Sequence, residues 1–382
     1  MDSTERIDVR PRTGLGVAVL VAAAALLLWR LLPSAGGSLF DPDAKPRTVA
    51  ARGDLAADEQ ATIALFESAS PAVVFLRNLA VVDDGDDLNP YEIPQGTASG
   101  FVWDADGHVV TNYHVIHESS RLEVTLSNHS TLEAKVVGFE IEKDIAVVNI
   151  DAPGTTLHPI TIGTSADLKV GQKVFAIGNP FGLDQTLTSG IISGLGREIP
   201  SRFEEERRGR RPITDLIQTD AAINQGNSGG PLLDSAGRLI GMNTFIVSPS
   251  GASAGVGFAI PVDTINRVVT DILRYGQARR PGLGTEIAAD WWSQNFDVEG
   301  VIVTGVRAGT GAERAGLRGQ RLTRRGPTAE NDIIVAVNDS PVRTSNDLFR
   351  ELDRHAVGDK VKLKVRRGTR LVDVEVELQD LH

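Results

Sequence analysis

Gly226-Asn227-Ser228-Gly229-Gly230-Pro231 sets one hydroxyl in a run of small, turn-forming residues, between the apolar pairs Leu216-Ile217 and Leu232-Leu233. The flanking glycines can take backbone angles closed to other residues. Such a loop can aim several backbone N–H groups at one spot beside the hydroxyl, which is what an oxyanion hole requires. By itself the stretch also reads as an ordinary Gly/Asn/Ser turn between two strands. The order of chemistry along the chain decides between the two readings.

Upstream lies Thr111-Asn112-Tyr113-His114-Val115-Ile116, and between it and the serine lies Glu142-Lys143-Asp144-Ile145-Ala146-Val147. A serine hydroxyl is a poor nucleophile at neutral pH. It needs an imidazole as general base, and the imidazole needs a carboxylate to fix its tautomer and stabilise its charged form. The order His114, Asp144, Ser228 is that of chymotrypsin-like proteases, not of subtilisins or α/β-hydrolases. The strand–elbow–helix surroundings of the hydrolase G-x-S-x-G motif are missing as well.

His108, His117, His129 and His158 are alternatives to His114, but His114 alone is framed by Val109-Val110 and Val115-Ile116, at the edge of a strand. Asp144 ends a charged turn and directly precedes the apolar run 145–150, a position suited to a partly buried carboxylate. Asp104 and Asp106 fall at a hairpin tip, Asp104-Ala105-Asp106-Gly107, and complete no calcium-loop pattern. No metal site and no cofactor is expected.

Ser99-Gly100-Phe101-Val102, Thr111–Ile116, Gly178-Asn179-Pro180-Phe181-Gly182, Thr219-Asp220-Ala221-Ala222-Ile223-Asn224 and Gly255-Val256-Gly257-Phe258-Ala259-Ile260-Pro261 surround these three residues. Together they resemble the HtrA/Deg family of serine proteases, over about Phe66 to His382. Gln225 departs from the family pattern and removes no catalytic group. The resemblance implies a mainly β protein: a chymotrypsin-like double β-barrel protease domain (58–276) and a C-terminal PDZ domain (281–382). It implies an endopeptidase of protein quality control acting on unfolded or extended polypeptides. A site-specific regulatory protease and a peptide-binding chaperone scaffold are the alternatives. His114, Asp144 and Ser228 are the expected catalytic residues, with the N–H groups of Gly226 and Ser228 as oxyanion donors. Ile223, Asn243, Thr244, Phe245 and Ile246 are the expected substrate-binding residues, giving apolar walls that favour aliphatic P1 side chains. Asp220 is read as loop scaffold and not as a trypsin-like specificity residue.

The same resemblance makes Pro281-Gly282-Leu283-Gly284 the carboxylate loop of the PDZ domain, with Gly282, Leu283 and Gly284 receiving C-terminal peptides. Thr344-Ser345-Asn346-Asp347 reads as a capping box that opens a helix with Leu348, Phe349 and Leu352 inward. Ala312-Glu313-Arg314-Ala315-Gly316-Leu317 and the run 331–338 match later motifs of that domain. The charged stretch 202–211, within 196–214, reads either as a solvated loop or as the family's sensor of PDZ state. Phe66, in a helix expected over 58–68, is an expected contact of a homotrimer.

The 382 residues suffice for two domains and a tail, and 41% hydrophobic residues suffices for globular cores. A formal charge of −11 argues against a nucleic-acid binder. There is no cysteine, hence no disulfide, thiol chemistry or cysteine-bound zinc. Gly14 to Leu32 reads GLGVAVLVAAAALLLWRLL, as a helix roughly 29 Å long and close to the hydrocarbon thickness of a bilayer. Residues 14–33 are thus expected to form a transmembrane anchor, or an uncleaved signal, with a cleaved signal peptide as the alternative. Arg6, Arg10 and Arg12 place 1–13 in the cytoplasm, and 34–57 becomes a tether. The expectation is a single-pass protein of the cytoplasmic (inner) membrane, with protease and PDZ domains on the periplasmic side.

Strands are expected at 73–76, 100–103, 108–111, 122–126, 134–139 and 145–150 in the first barrel. In the second they are expected at 173–177, 186–193, 213–218, 239–245 and 255–260. Ile265, Val268, Val269, Ile272 and Leu273 share one face of a helix that follows 262–264 and stops at Gly276.

Overall fold

The computed structural model describes residues 14–31, 40–82, 91–180, 182, 184–200, 212–224, 226–246, 255–319, 322–323, 328 and 331–381. The expectations placed on 1–13, Phe181, 202–211 and Gln225 lie outside these residues, as do the side chains of Phe245 and Ile246.

Helix α1 covers Gly14–Leu31. Its 18 residues rise about 27 Å, short of the roughly 20 residues that cross a hydrocarbon layer. Among the described residues no helix is long and apolar enough to cross a membrane. The transmembrane span expected over 14–33 is corrected on this point.

The next helix, α2 (Ala57–Ala69), leads into β1 (Val73–Val82), β2 (Tyr91–Val102), β3 (His108–Thr111), the one-turn α3 (Tyr113–Ile116), β4 (Arg121–Thr125), β5 (Thr131–Glu140) and β6 (Ile145–Ile150). These strands close a barrel in the order β1-β2-β3-β6-β5-β4. A second barrel follows from β7 (Lys173–Gly178), β8 (Thr186–Ile199), β9 (Ile213–Thr219), β10 (Pro231–Leu233), β11 (Leu239–Ile246) and β12 (Gly257–Pro261). Its order is β10-β11-β12-β9-β8-β7. β10, immediately after the serine loop, was not among the expected strands. β1 and β2 are longer than expected, pairing from Val73↔Phe101 outward.

Several strands read as continuous apolar runs because both of their faces are buried. In β6, Ala146, Val148 and Ile150 fill the first barrel, while Ile145 and Val147 face a seam shared with the second. In β7, Val174 and Ala176 fill the second barrel, while Phe175 and Ile177 enter the same seam. Helix α4 (Val262–Tyr275) straps the seam, burying Ile265, Val268, Val269 and Ile272 at helical spacing. Truncating one such residue to alanine costs roughly 2–5 kcal/mol. Gly276 ends α4 at φ 77°, donating to the Ile272 carbonyl at 2.8 Å. Phe66 of α2 packs partly against this core.

After α4, β13 (Pro281–Gly282) pairs with β20 (Gln379–Asp380). The other elements are β14 (Thr285–Ile287), α5 (Asp290–Asn295), β15 (Val301–Val306), α6 (Gly311–Arg314), β16 (Asp332–Val337), β17 (Ser340–Pro341), α7 (Ser345–Leu352), β18 (Lys360–Arg367) and β19 (Arg370–Glu377). The sheet runs β14-β15-β16-β18-β19, so β14 is an end strand. The expected capping box opens α7: Thr344 Oγ1 accepts from Asp347 N–H and Asp347 Oδ2 accepts from Thr344 N–H, both at 3.1 Å. Leu348 and Leu352 are buried in this domain's core.

Candidate active site

Helix α3 begins directly after β3 and carries His114 to the barrel edge. The Asn112 amide that precedes it donates to the Asp144 carbonyl at 3.0 Å. Asp144 sits in the turn between β5 and β6 with φ at 53°, a left-handed conformation that aspartate tolerates better than most residues. Its side chain is 5% exposed and meets the imidazole: His114 Nδ1 lies 2.8 Å from Oδ2 and 3.0 Å from Oδ1. Facing a carboxylate, Nδ1 carries the proton, which leaves Nε2 as the basic nitrogen. The His114 backbone N–H donates to Oδ1 at 3.0 Å, and Thr244 Oγ1 donates to Oδ2 at 2.5 Å. The carboxylate is thus fixed from the first barrel and from β11 of the second. Burial, with Glu118 nearby, pushes the neighbouring Tyr113 phenol above its ordinary value, so it stays protonated.

Ser228 lies between Gly226 (φ 101°) and Gly229 (φ 81°). A Cβ at Gly229 would overlap the Ser99 carbonyl and Thr111 Oγ1, so this close approach requires glycine. Gly229 N–H donates to the Asn243 carbonyl at 2.8 Å, and Asn243 N–H donates back to Gly230 at 2.9 Å. Among the described residues, no protein acceptor takes the N–H of Gly226 or of Ser228. The Ser228 hydroxyl donates to the Thr244 carbonyl at 3.3 Å.

The expected substrate-binding residues separate. Ile223 is 1% exposed and packs inside the second barrel with Ile217 and Ala259. Asn243 gives its amide to the Pro231 carbonyl and Thr244 gives its hydroxyl to Asp144, so neither side chain is an apolar wall. Phe245 and Ile246 lie on β11, the strand that supplies the Thr244 carbonyl beside Ser228. Asp220 accepts from Ile191 N–H at 2.7 Å, as a loop scaffold does. Asp104 closes its hairpin by accepting from Asp106 N–H. Among the described residues no cluster able to hold a metal is found.

A second concavity of about 470 Å³ lies between β14 and α7, with Gly282, Leu283 and Gly284 at its end and Leu348, Phe349 and Leu352 along its side. Gly284 has φ 84°, and a Cβ there would overlap the Thr310 side chain. Glu142, Arg280 and Asp353 border the same groove. Arg280 Nη2 donates to Glu140 at 2.7 Å and Nη1 to Glu142 at 3.1 Å. Lys143 pairs with Asp353 just past α7 and donates to Thr214 at 3.3 Å. Both links end on the turn that delivers Asp144. Sequence reading did not find them, because each joins residues far apart in the chain.

Two closed six-stranded antiparallel barrels followed by this smaller domain define a trypsin-like peptidase fold with an appended PDZ domain. Residues 98–242 match the trypsin-like peptidase domain and residues 276–378 match the PDZ domain. The chain is 53% identical over 325 residues to Protease Do-like 1, chloroplastic, of Arabidopsis thaliana, covering 85% of this chain and 73% of that protein. It is 42% identical over 347 residues to Protease Do-like 8, chloroplastic, of the same plant, covering 87% and 76%. Among solved structures it resembles the HtrA-type protease AlgW with decapeptide, with TM-score 0.62 and 32% identity over 83% of this chain and 98% of that one. The chain belongs to the HtrA/Deg (Do-like) family of serine proteases and is a serine endopeptidase. The expected single-pass, inner-membrane location is corrected: no described helix is long and apolar enough to cross a membrane, and these two Arabidopsis relatives are chloroplastic.

Proposed function

We propose that this endopeptidase cleaves extended or unfolded polypeptides with Ser228 as nucleophile, His114 as general base and Asp144 as the carboxylate that orients the imidazole. Ser228 Oγ attacks the scissile carbonyl while His114 Nε2 takes its proton, and the imidazolium then returns that proton to the leaving amine. The N–H groups of Gly226 and Ser228 receive the developing oxyanion, a donation worth about 10²–10³ in rate per donor. No metal or organic cofactor enters this scheme. The observation that carries the reading is the bond between His114 and the buried carboxylate of Asp144, on the barrel facing the Ser228 loop.

The groove between β14 and α7 is proposed to bind C-terminal peptides by adding a strand to the open edge of β14, with the carboxylate at Gly282–Gly284. Its state would reach the active site through Arg280 and Lys143, since both hold the 140–144 turn. A homotrimer with Phe66 at its contacts belongs to the same reading, and light scattering of Phe66→Ala tests it. For the catalytic assignment, cleavage sites are mapped by N-terminal proteomics with wild type and Ser228→Ala. Casein digestion retained by Ser228→Ala refutes the assignment.

A further inference from the structure

Each of the two proposed oxyanion donors also carries a carbonyl, and one residue of the first barrel holds both. Ser99, on β2 and 0% exposed, donates its N–H to the Ser228 carbonyl at 2.9 Å. Its hydroxyl donates to the Gly226 carbonyl at 2.6 Å. The direction of that second bond is fixed because a carbonyl oxygen can only accept, and Ser99 Oγ itself accepts from Asn179 N–H at 2.7 Å. The Ser99 carbonyl accepts from Thr111 Oγ1 at 2.8 Å, three residues before His114. Ser99 therefore ties together the serine loop, the 178–180 run and the strand that delivers the imidazole.

The geometry points to Ser99 as a positioning residue for the oxyanion hole, an inference that rests on the catalytic assignment above. Gly226, at φ 101°, has no side chain to restrict its backbone. The Gly226 N–H shares its peptide plane with the carbonyl of the preceding residue, and at a glycine that plane turns readily about φ and can present the carbonyl where an N–H is needed. By holding the Gly226 carbonyl from a buried position, the Ser99 hydroxyl fixes the peptide plane that follows Gly226, and so restricts the loop conformations through which the Gly226 N–H can turn away from the hole. The Ser99 N–H does the same for the Ser228 carbonyl but belongs to the backbone and survives substitution. Only the hydroxyl is variable, and it acts on Gly226 alone. Loss of one oxyanion donor costs about 10²–10³ in rate, and a loop that keeps its productive form for part of the time loses less. Removal of the hydroxyl is therefore expected to lower kcat at least about ten-fold, with KM nearly unchanged, because ground-state binding along an edge strand does not use the hole.

The test uses the full chain as wild type, Ser99→Ala, Ser99→Cys and Ser228→Ala, with a chromogenic peptide substrate and a peptide boronic acid. The tetrahedral boronate places an oxygen where the oxyanion forms. In Ser99→Ala, kcat should fall at least about ten-fold and KM stay within about two-fold, with boronate Ki rising by the same factor as kcat/KM falls. Ser99→Cys, close in volume with a weaker donor, should fall between wild type and alanine, and it carries the test if the alanine variant does not melt cooperatively. A kcat of Ser99→Ala within two-fold of wild type overturns the inference. So does a kcat loss with unchanged boronate affinity, or a loss carried by KM. An active Ser228→Ala would instead overturn the catalytic assignment, which separates the two failures.

Discussion

Thr244→Val removes one hydroxyl from the Asp144 carboxylate and keeps the shape of the side chain. The carboxylate is 5% exposed and takes donors from His114 N–H, His114 Nδ1 and Thr244 Oγ1. A hydrogen bond to a charged group is worth about 1.5–3 kcal/mol. Since about 1.4 kcal/mol is ten-fold in rate, the ceiling on the effect is roughly 10–150-fold. The hydroxyl bonds the carboxylate before and after the imidazole is charged, so much of its energy is common to ground and transition states. Only the part that holds the carboxylate in line with Nδ1 as charge develops appears in the rate. The expectation is a fall in kcat/KM of about ten-fold, carried by kcat, with Thr244→Ser restoring it. Stopped-time hydrolysis of a chromogenic peptide, with cooperative melting as control, reads the result. Activity of Thr244→Val within two-fold of wild type refutes the argument, as does failure of Thr244→Ser to recover it.

Gly284→Ala places a Cβ against Thr310 at a positive φ. It should raise the Kd of a C-terminal peptide at least about ten-fold by fluorescence anisotropy, while basal hydrolysis of a short substrate stays within two-fold. Arg280→Ala leaves Glu140, 5% exposed, without its guanidinium partner, a change of about 3–5 kcal/mol when a buried pair is broken. Peptide titration should still show binding, but the ratio of stimulated to basal cleavage should collapse towards one. A preserved ratio removes Arg280 from the coupling. Asp347 is pushed up by burial, but the N–H groups of Arg343 and Thr344, with Arg350, outweigh this and hold it below its ordinary value. Its folded pKa is lower than its unfolded one, so the capping of α7 is fully supported above the ordinary carboxylate range and weakens as pH falls through the lowered value. Asp347→Asn should flatten the acid limb of the PDZ melting profile, and an unchanged limb counts against the assignment.

The parts of this molecule that could be read from sequence are those whose chemistry is contiguous. The order of His114, Asp144 and Ser228, the strands of both barrels and the capping box at Thr344 are each carried by a short run of residues. β10 was missed because three residues directly after a glycine loop give too little alternation to read. Thr244 was expected to line the substrate pocket, since its position on β11 was legible but its bond to Asp144, 100 residues away, was not. Ser99 was quoted only as part of a motif, for its partner at Gly226 is 127 residues distant. Hydrophobic period reports which face of an element is buried, and it does not report which polar group waits across the seam.

That seam is also where function concentrates, for a physical reason. A catalytic carboxylate must be desolvated to act strongly on the imidazole, yet a buried charge is costly unless several donors reach it. No single turn supplies enough donors, so Asp144 draws on α3 and on β11 from the opposite barrel. In the serine loop, among the described residues no protein acceptor takes the N–H of Gly226 or of Ser228, and Ser99 reaches across the seam to satisfy the carbonyls of both. The geometry of the proposed catalytic site is therefore a property of how the barrels pack together. The ion pairs of Arg280 and Lys143 end on the 140–144 turn at the same junction.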